Sequence, residues 1–174
     1  MGTGAENAFE LQNGSIVEST GAGASAAPIS IIAVGGTDNG ADIEDASILS
    51  VDGDILIDGT GSQGVEVQES IIRSTGAALI EIVGVGDDRD GIDIDDSTIN
   101  SLGTGTITLD GTTNGDDGVF IDGLTTQIAS VAGDIFITGA TTGTGAGGHG
   151  VHIDSDITLV INATNAANIT LTGT

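Results

Sequence analysis

The chain has 174 residues, the size of one ordinary domain. It carries 26 acidic side chains against two basic ones, for a formal net charge of -24, and it has no Cys, Trp or Tyr. This composition excludes a disulfide framework, a thiolate nucleophile and a Cys-ligated metal or iron–sulfur centre. It also argues against a nucleic-acid partner, since only Arg73 and Arg89 are available to meet a phosphate.

No apolar run approaches the roughly 18–20 residues of a membrane span, so membrane insertion is not expected. The opening residues Met1-Gly2-Thr3-Gly4 carry no charged-then-apolar secretion signal and read as the start of an excised piece. High charge with few aromatics is a signature of disorder. Here, however, the 38% hydrophobic fraction is mostly Ile and Val in alternation, the pattern of strands with one buried face.

Along the chain one unit recurs, starting near Phe9, Ala41, Val65, Ile92, Val119 and Val151. Each copy predicts three short strands. The first alternates apolar and polar: Phe9/Leu11, Ala41/Ile43, Val65/Val67, Ile92/Ile94, Val119/Ile121 and Val151/Ile153. The second centres on one aliphatic: Ile16, Ile48, Ile72, Ile99, Ile128 and Ile157. The third is again apolar-polar-apolar: Ile55/Ile57, Ile80/Ile82, Ile107/Leu109, Ile135/Ile137 and Ile169/Leu171.

Strands this short cannot hold a sheet alone, but stacked coils join them into parallel sheets and bury the aliphatic columns. The predicted fold is all-β: one right-handed parallel β-helix (β-solenoid) over residues 1–174, with three strands per coil and about five and a half coils. The handedness follows from the crossover rule. The longer copies carry their extra residues at Gly21 to Ala27 and Ala140 to Gly148, read as surface turns. No sustained 3.6-residue period predicts a helix.

The spacing Gly-Val-x-Ile-x-x-Ser-x-Ile-x-Ser, followed by Gly-Asp-Ile-x-Ile-x-Gly-Thr-Gly, resembles the repeats of large bacterial surface exoproteins of the filamentous-haemagglutinin type. Gly91-Ile92-Asp93-Ile94-Asp95-Asp96-Ser97-Thr98-Ile99-Asn100-Ser101 and Gly53-Asp54-Ile55-Leu56-Ile57-Asp58-Gly59-Thr60-Gly61 carry the likeness. It covers essentially residues 2–174. It implies an extended shaft, adhesion or matrix function and an extracellular or bacterial cell-surface location. The N-terminal secretion domain of that family has no counterpart here. The ends, Gly2-Thr3-Gly4 before a first strand and Ile169-Thr170-Leu171 as a third strand, follow the repeat logic when placed end to end. They predict self-association end to end or continuation in a longer chain.

Acidic residues recur at fixed places. The second position of the repeats reads Glu10, Asp42, Glu66, Asp93, Phe120, His152, and the fourth reads Gln12, Glu44, Gln68, Asp95, Asp122, Asp154. A fifth position adds Asp45, Glu69 and Asp96. Stacked at about 4.8 Å, neighbouring carboxylates repel by about 0.9 kcal/mol even in bulk water.

Such ladders serve as a solvated face that keeps a fibre soluble, or they bind a divalent cation. No cofactor is required, and Ca²⁺ suits oxygen-only sites. The Ca²⁺ candidates are Glu44, Asp95, Asp122 and Asp154 on the ladder, with Asp87, Asp88, Asp116 and Asp117 in the Gly-rich turns. Those turns, Gly86 to Gly91 and Asn114 to Gly118, match neither an EF-hand loop nor a calcium β-roll repeat. Their Gly residues are expected to supply positive φ.

An enzyme of the pectin-degrading β-helix kind is the distant alternative. Gly115-Asp116-Asp117 and Gly148-His149-Gly150 match parts of its signature, but the chain has no Lys and no Arg after Gly148. No catalytic residue is predicted. His152 shares a strand face with Asp154, an arrangement open to a His/carboxylate metal site, but two ligands do not make a specific site and His149 and His152 read as an exposed pair. A Thr ladder for ice binding is broken by Leu56, Glu81 and Phe136. The expected function is therefore structural, as a repeat module of a filament or adhesin shaft.

Overall fold

The computed structural model describes residues 6–143, 148–154, 160–163, 165 and 167–174. Alternation of β-branched aliphatic and polar residues produces sixteen strands among the described residues. In chain order these are β1 (Phe9–Leu11), β2 (Ile16–Ser19), β3 (Ile29–Glu44), β4 (Ser47–Ser50), β5 (Ile55–Gln68), β6 (Ile71–Ser74), β7 (Ile80–Gly86) and β8 (Ile92–Asp95). They continue as β9 (Thr98–Ser101), β10 (Ile107–Thr113), β11 (Val119–Ile121), β12 (Gln127–Ser130), β13 (Ile135–Thr141), β14 (Val151–Ile153), β15 (Val160–Ala163) and β16 (Ile169–Gly173). One 3₁₀ turn, Gly23–Ser25, is the only helical element among the described residues.

The strands stack as a parallel β-solenoid of about five turns. Second strands form one sheet, ordered β15-β12-β9-β6-β4-β2. First and third strands share a ten-stranded sheet, because β3 and β5 run unbroken from the third strand of one coil into the first strand of the next. Pairing is in register: Ile55, Ile80, Ile107 and Ile135 form one column, and Val65, Ile92 and Val119 another. From Ala41 to Ile137 these columns are shut off from solvent and form a continuous core.

The second-strand column departs from the sequence reading at both ends. Val17, not Ile16, pairs with Ile48, and Ile16 is 65% exposed. Asn13 and Gly14 add one residue to that corner, and a one-residue slip turns a strand's faces over. At the far end Ile161 is the partner of Ile128, while Ile157 lies outside the described residues.

Insertions sit largely where expected. The Gly21–Ala27 turn holds most of the first coil's excess, and bulges between Val34 and Asn39 absorb more. Of the Ala140–Gly148 insertion, Ala140 and Thr141 extend β13 instead of joining the turn.

The corner glycines have a different cause from the one expected. In the Gly86–Gly91 and Asn114–Gly118 turns no Gly has positive φ. Instead the backbones meet: a Cβ on Gly84 would strike the Gly91 carbonyl, one on Gly111 the Gly118 carbonyl, and one on Gly139 the Gly150 carbonyl. Positive φ is concentrated at the other corner, at Asn13, Asp45, Glu69, Asp96 and Gly123 in successive coils. The fifth-position acids are therefore corner residues, not part of a flat strand ladder.

Candidate functional site

Two polar columns run side by side along the first-strand face. One is the second-position column, whose register Glu10–Asp42–Glu66–Asp93–Phe120–His152 is as read from the sequence. The other lies two residues before each first strand: Asn7, Asn39, Gln63, Asp90, Asp117 and His149. Sequence reading missed it because those residues lie in or beside Gly-rich stretches with no apolar alternation to mark them, Asn39 and Gln63 within β3 and β5 themselves.

The columns are cross-linked one coil out of step. Asn7 Nδ2 donates to Asp42 Oδ2 at 2.6 Å, Asn39 Nδ2 to the Glu66 carboxylate, and Gln63 Nε2 to Asp93 Oδ2 at 3.2 Å. Vertical bonds run along the turn column as well. The backbone N–H of Asn39 donates to Asn7 Oδ1, that of Asp117 to Asp90 Oδ1, and that of His149 to Asp117 Oδ1.

Toward the N-terminal coils this arrangement crowds carboxylates. Burial, then Glu66, Glu10 and Glu44, push Asp42 up to about 6. Asp93 is pushed up to about 7 by burial first and then by Asp90, Glu66 and Asp122. Asp93 Oδ1 and the Oε1 of fully buried Gln63 have no hydrogen-bond partner. Asp90 is also raised, chiefly by burial, against the Asp117 N–H bond that favours its charged form.

The last cross-link changes chemistry. Asp117, buried at 7% exposure, lies 3.0 Å through Oδ1 from His149 Nδ1 and 2.6 Å through Oδ2 from His152 Nδ1. The imidazole centroids are 4.6 Å apart, and His152 also packs on Phe120 at 4.9 Å. Both rings remain open to solvent, at 54% and 37% side-chain exposure. The histidine pair is exposed, as read from the sequence, but it is not an isolated pair. The two are tied together by a carboxylate 32 and 35 residues earlier, which no local spacing reveals.

The other expected ligands are strung out. Glu44, Gln68 and Asp95 are in register, with Gln68 Nε2 donating to Asp95 Oδ2 at 3.3 Å, so Glu44 is a coil removed from the other acids. Asp122 and Asp154 continue that column through N–H bonds to Ile94 and Ile121 carbonyls. Asp122 is raised, first by burial and then by Asp95, Asp154 and Asp96. Asp87, Asp88 and Asp116 are exposed turn residues. Among the described residues, Asp117, His149 and His152 form the one group of three metal-ligating side chains with ligand atoms within 4.8 Å of one another.

Gly115-Asp116-Asp117 and Gly148-His149-Gly150 do lie on adjacent coils, joined by the Asp117–His149 contact. Of the two cations that would hold an acidic sugar, Arg89 lies in the turn one coil below Gly115 with its side chain committed to Asp38 at 3.2 Å. Arg73 is on β6 in the second-strand sheet.

No protein-family model, curated protein or solved structure matches this chain.

Proposed function

We propose that this chain is a structural repeat module of an extracellular or cell-surface filament or adhesin shaft, its coils continuing end to end through further chain or a second copy. The observation that supports this reading is the in-register stacking of every coil on the next through parallel backbone bonds, over an unbroken aliphatic core. Such a column lengthens by repetition and gains no new kind of contact as it grows. β16 pairs with β13 on one side and presents its other edge outward, and edges of this kind template further pairing.

Light scattering and electron microscopy of the purified chain, with Ca²⁺ and with a chelator, test the reading. Thin unbranched fibres or a stable rod-like monomer support a shaft module. Depolymerisation of an acidic polysaccharide by the same sample would overturn it in favour of an enzyme.

A calcium-dependent module is the second reading, favoured by the crowding that raises Asp42 and Asp93. Fibre growth confined to the Ca²⁺ samples would select it.

A further inference from the structure

We propose that Asp117, His149 and His152 bind a divalent transition-metal ion of the Zn²⁺ class, which staples two consecutive coils. The donor set decides the class. Two imidazole nitrogens and one carboxylate oxygen suit Zn²⁺ and its neighbours, whereas Ca²⁺ takes oxygen ligands alone.

The geometry is close to what such an ion requires. A tetrahedral centre with bonds of about 2.0–2.1 Å holds its ligand atoms about 3.3 Å apart. Here the Asp117 oxygens lie 3.0 and 2.6 Å from the two Nδ1 atoms, and one ligand atom from each residue falls within 4.8 Å of the others. Ring rotations that bring the three ligand atoms to about 3.3 Å from one another seat the ion between them. Exposure of both rings leaves an entry path and room for a water as fourth ligand.

The cluster is also held in advance. Asp117 is buried, and its Oδ1 accepts the His149 backbone N–H, which fixes the carboxylate against the next coil. Asp90 Oδ1 accepts the Asp117 N–H and braces the turn from below. Phe120, standing where earlier coils carry Glu66 and Asp93, walls one side of His152. This apolar neighbour replaces a carboxylate that would otherwise compete for the ion. The ligands come from the turn before β11 and from the segment around β14, so the bound ion joins two consecutive coils. The inference stands on these residues and does not require the shaft reading.

The test is calorimetric titration of the metal-free chain with ZnCl₂, beside Co²⁺ absorption spectroscopy and thermal melts. The expected result is one Zn²⁺ per chain, a tetrahedral Co²⁺ spectrum and a higher melting temperature with Zn²⁺. His149→Gln and His152→Gln should each weaken binding by about tenfold or more, and both sit on exposed rings, so circular dichroism should be unchanged. Glu81→Gln, which removes a carboxylate on β7, should bind as the parent does. Equal Zn²⁺ affinity in the His149→Gln/His152→Gln double variant, or displacement of the Zn²⁺ by millimolar Ca²⁺, would overturn the proposal by assigning the ion to the acidic ladders. Absence of binding by the parent would overturn it as well.

Discussion

At the residue scale, the acidic column works against the fold at neutral pH. Asp42 and Asp93 titrate near 6 and 7 in the folded chain, above the 3.8 of a free carboxyl. The unfolded chain therefore loses these protons first as pH rises. Stability is greatest below about pH 4 as far as these two groups are concerned, and it falls as pH climbs through 7. Thermal melts should show a higher midpoint at pH 5 than at pH 8. Asp93→Asn, which keeps the shape and removes the charge, should stabilise the chain by about 1–3 kcal/mol at pH 8. It should also flatten the pH dependence, and a lower midpoint for this variant at pH 8 would contradict the assignment.

The left-handed corner offers a second test at the same scale. Glu69 holds φ 50° where the neighbouring coils use Asp45, Asp96 and Gly123. Asn tolerates that region better than Glu, so Glu69→Asn should stabilise by about 0.5–1 kcal/mol. Gly123→Ala should destabilise by more than about 1 kcal/mol. Its φ is 94° and a Cβ would strike the Asp96 backbone nitrogen and the Asp95 carboxylate. Chemical denaturation of the two variants reads both signs.

At the scale of elements, short interior strands such as β6, β9 and β11 persist because each is clamped between two others. Their buried apolar side chains are almost all Ile, Val and Leu, with Ser, Thr or Gly at the strand ends, and Ile94 and Ile107 have no exposed surface. Ile107→Asp buries an unpaired charge and should abolish the folded state, seen as loss of the β circular-dichroism signal. Ile94→Ala leaves a cavity and should cost about 2–5 kcal/mol in urea unfolding.

Buried serines close the strand ends. Ser19, Ser50, Ser74, Ser101 and Ser130 stack in one column, and Ser19 Oγ donates to the Ala27 carbonyl while Ser130 Oγ accepts the Gly133 N–H. At the opposite corner Ser70 and Ser97 each donate to a carbonyl of the preceding coil, Ile43 and Val67. Side chains of this size fit a sharp bend without widening the core, although the buried Ser101 Oγ has no hydrogen-bond partner.

At the scale of the whole molecule, net charge is the dominant long-range term. A chain of charge -24 repels itself along its own stack and repels a second copy. Salt screens that repulsion, since the Debye length falls from about 30 Å at 0.01 M to about 3 Å at 1 M. The melting temperature and any end-to-end association should therefore both rise with NaCl across that range. A melting temperature that falls with NaCl would show that the ladders are held by favourable ion contacts instead.

The sequence by itself determined the repeat, the parallel solenoid and the aliphatic columns. Alternation at period two and a three-strand order repeated coil after coil point to stacking, which buries the Ile and Val residues as columns. It also placed Glu10, Asp42, Glu66 and Asp93 on one face, because stacked coils keep register. Only the tertiary structure decided the rest. Ile16 yields its column to Val17 because the Asn13-Gly14 corner is one residue longer, a difference set by backbone geometry. Gly84, Gly111 and Gly139 are required by chains that approach across a corner, not by positive φ. The Asp117–His149–His152 cluster forms because the turn column of one coil bonds to the next coil. A contact between residues 32 and 35 positions apart exists only once insertions of unequal length have been folded out of the stack.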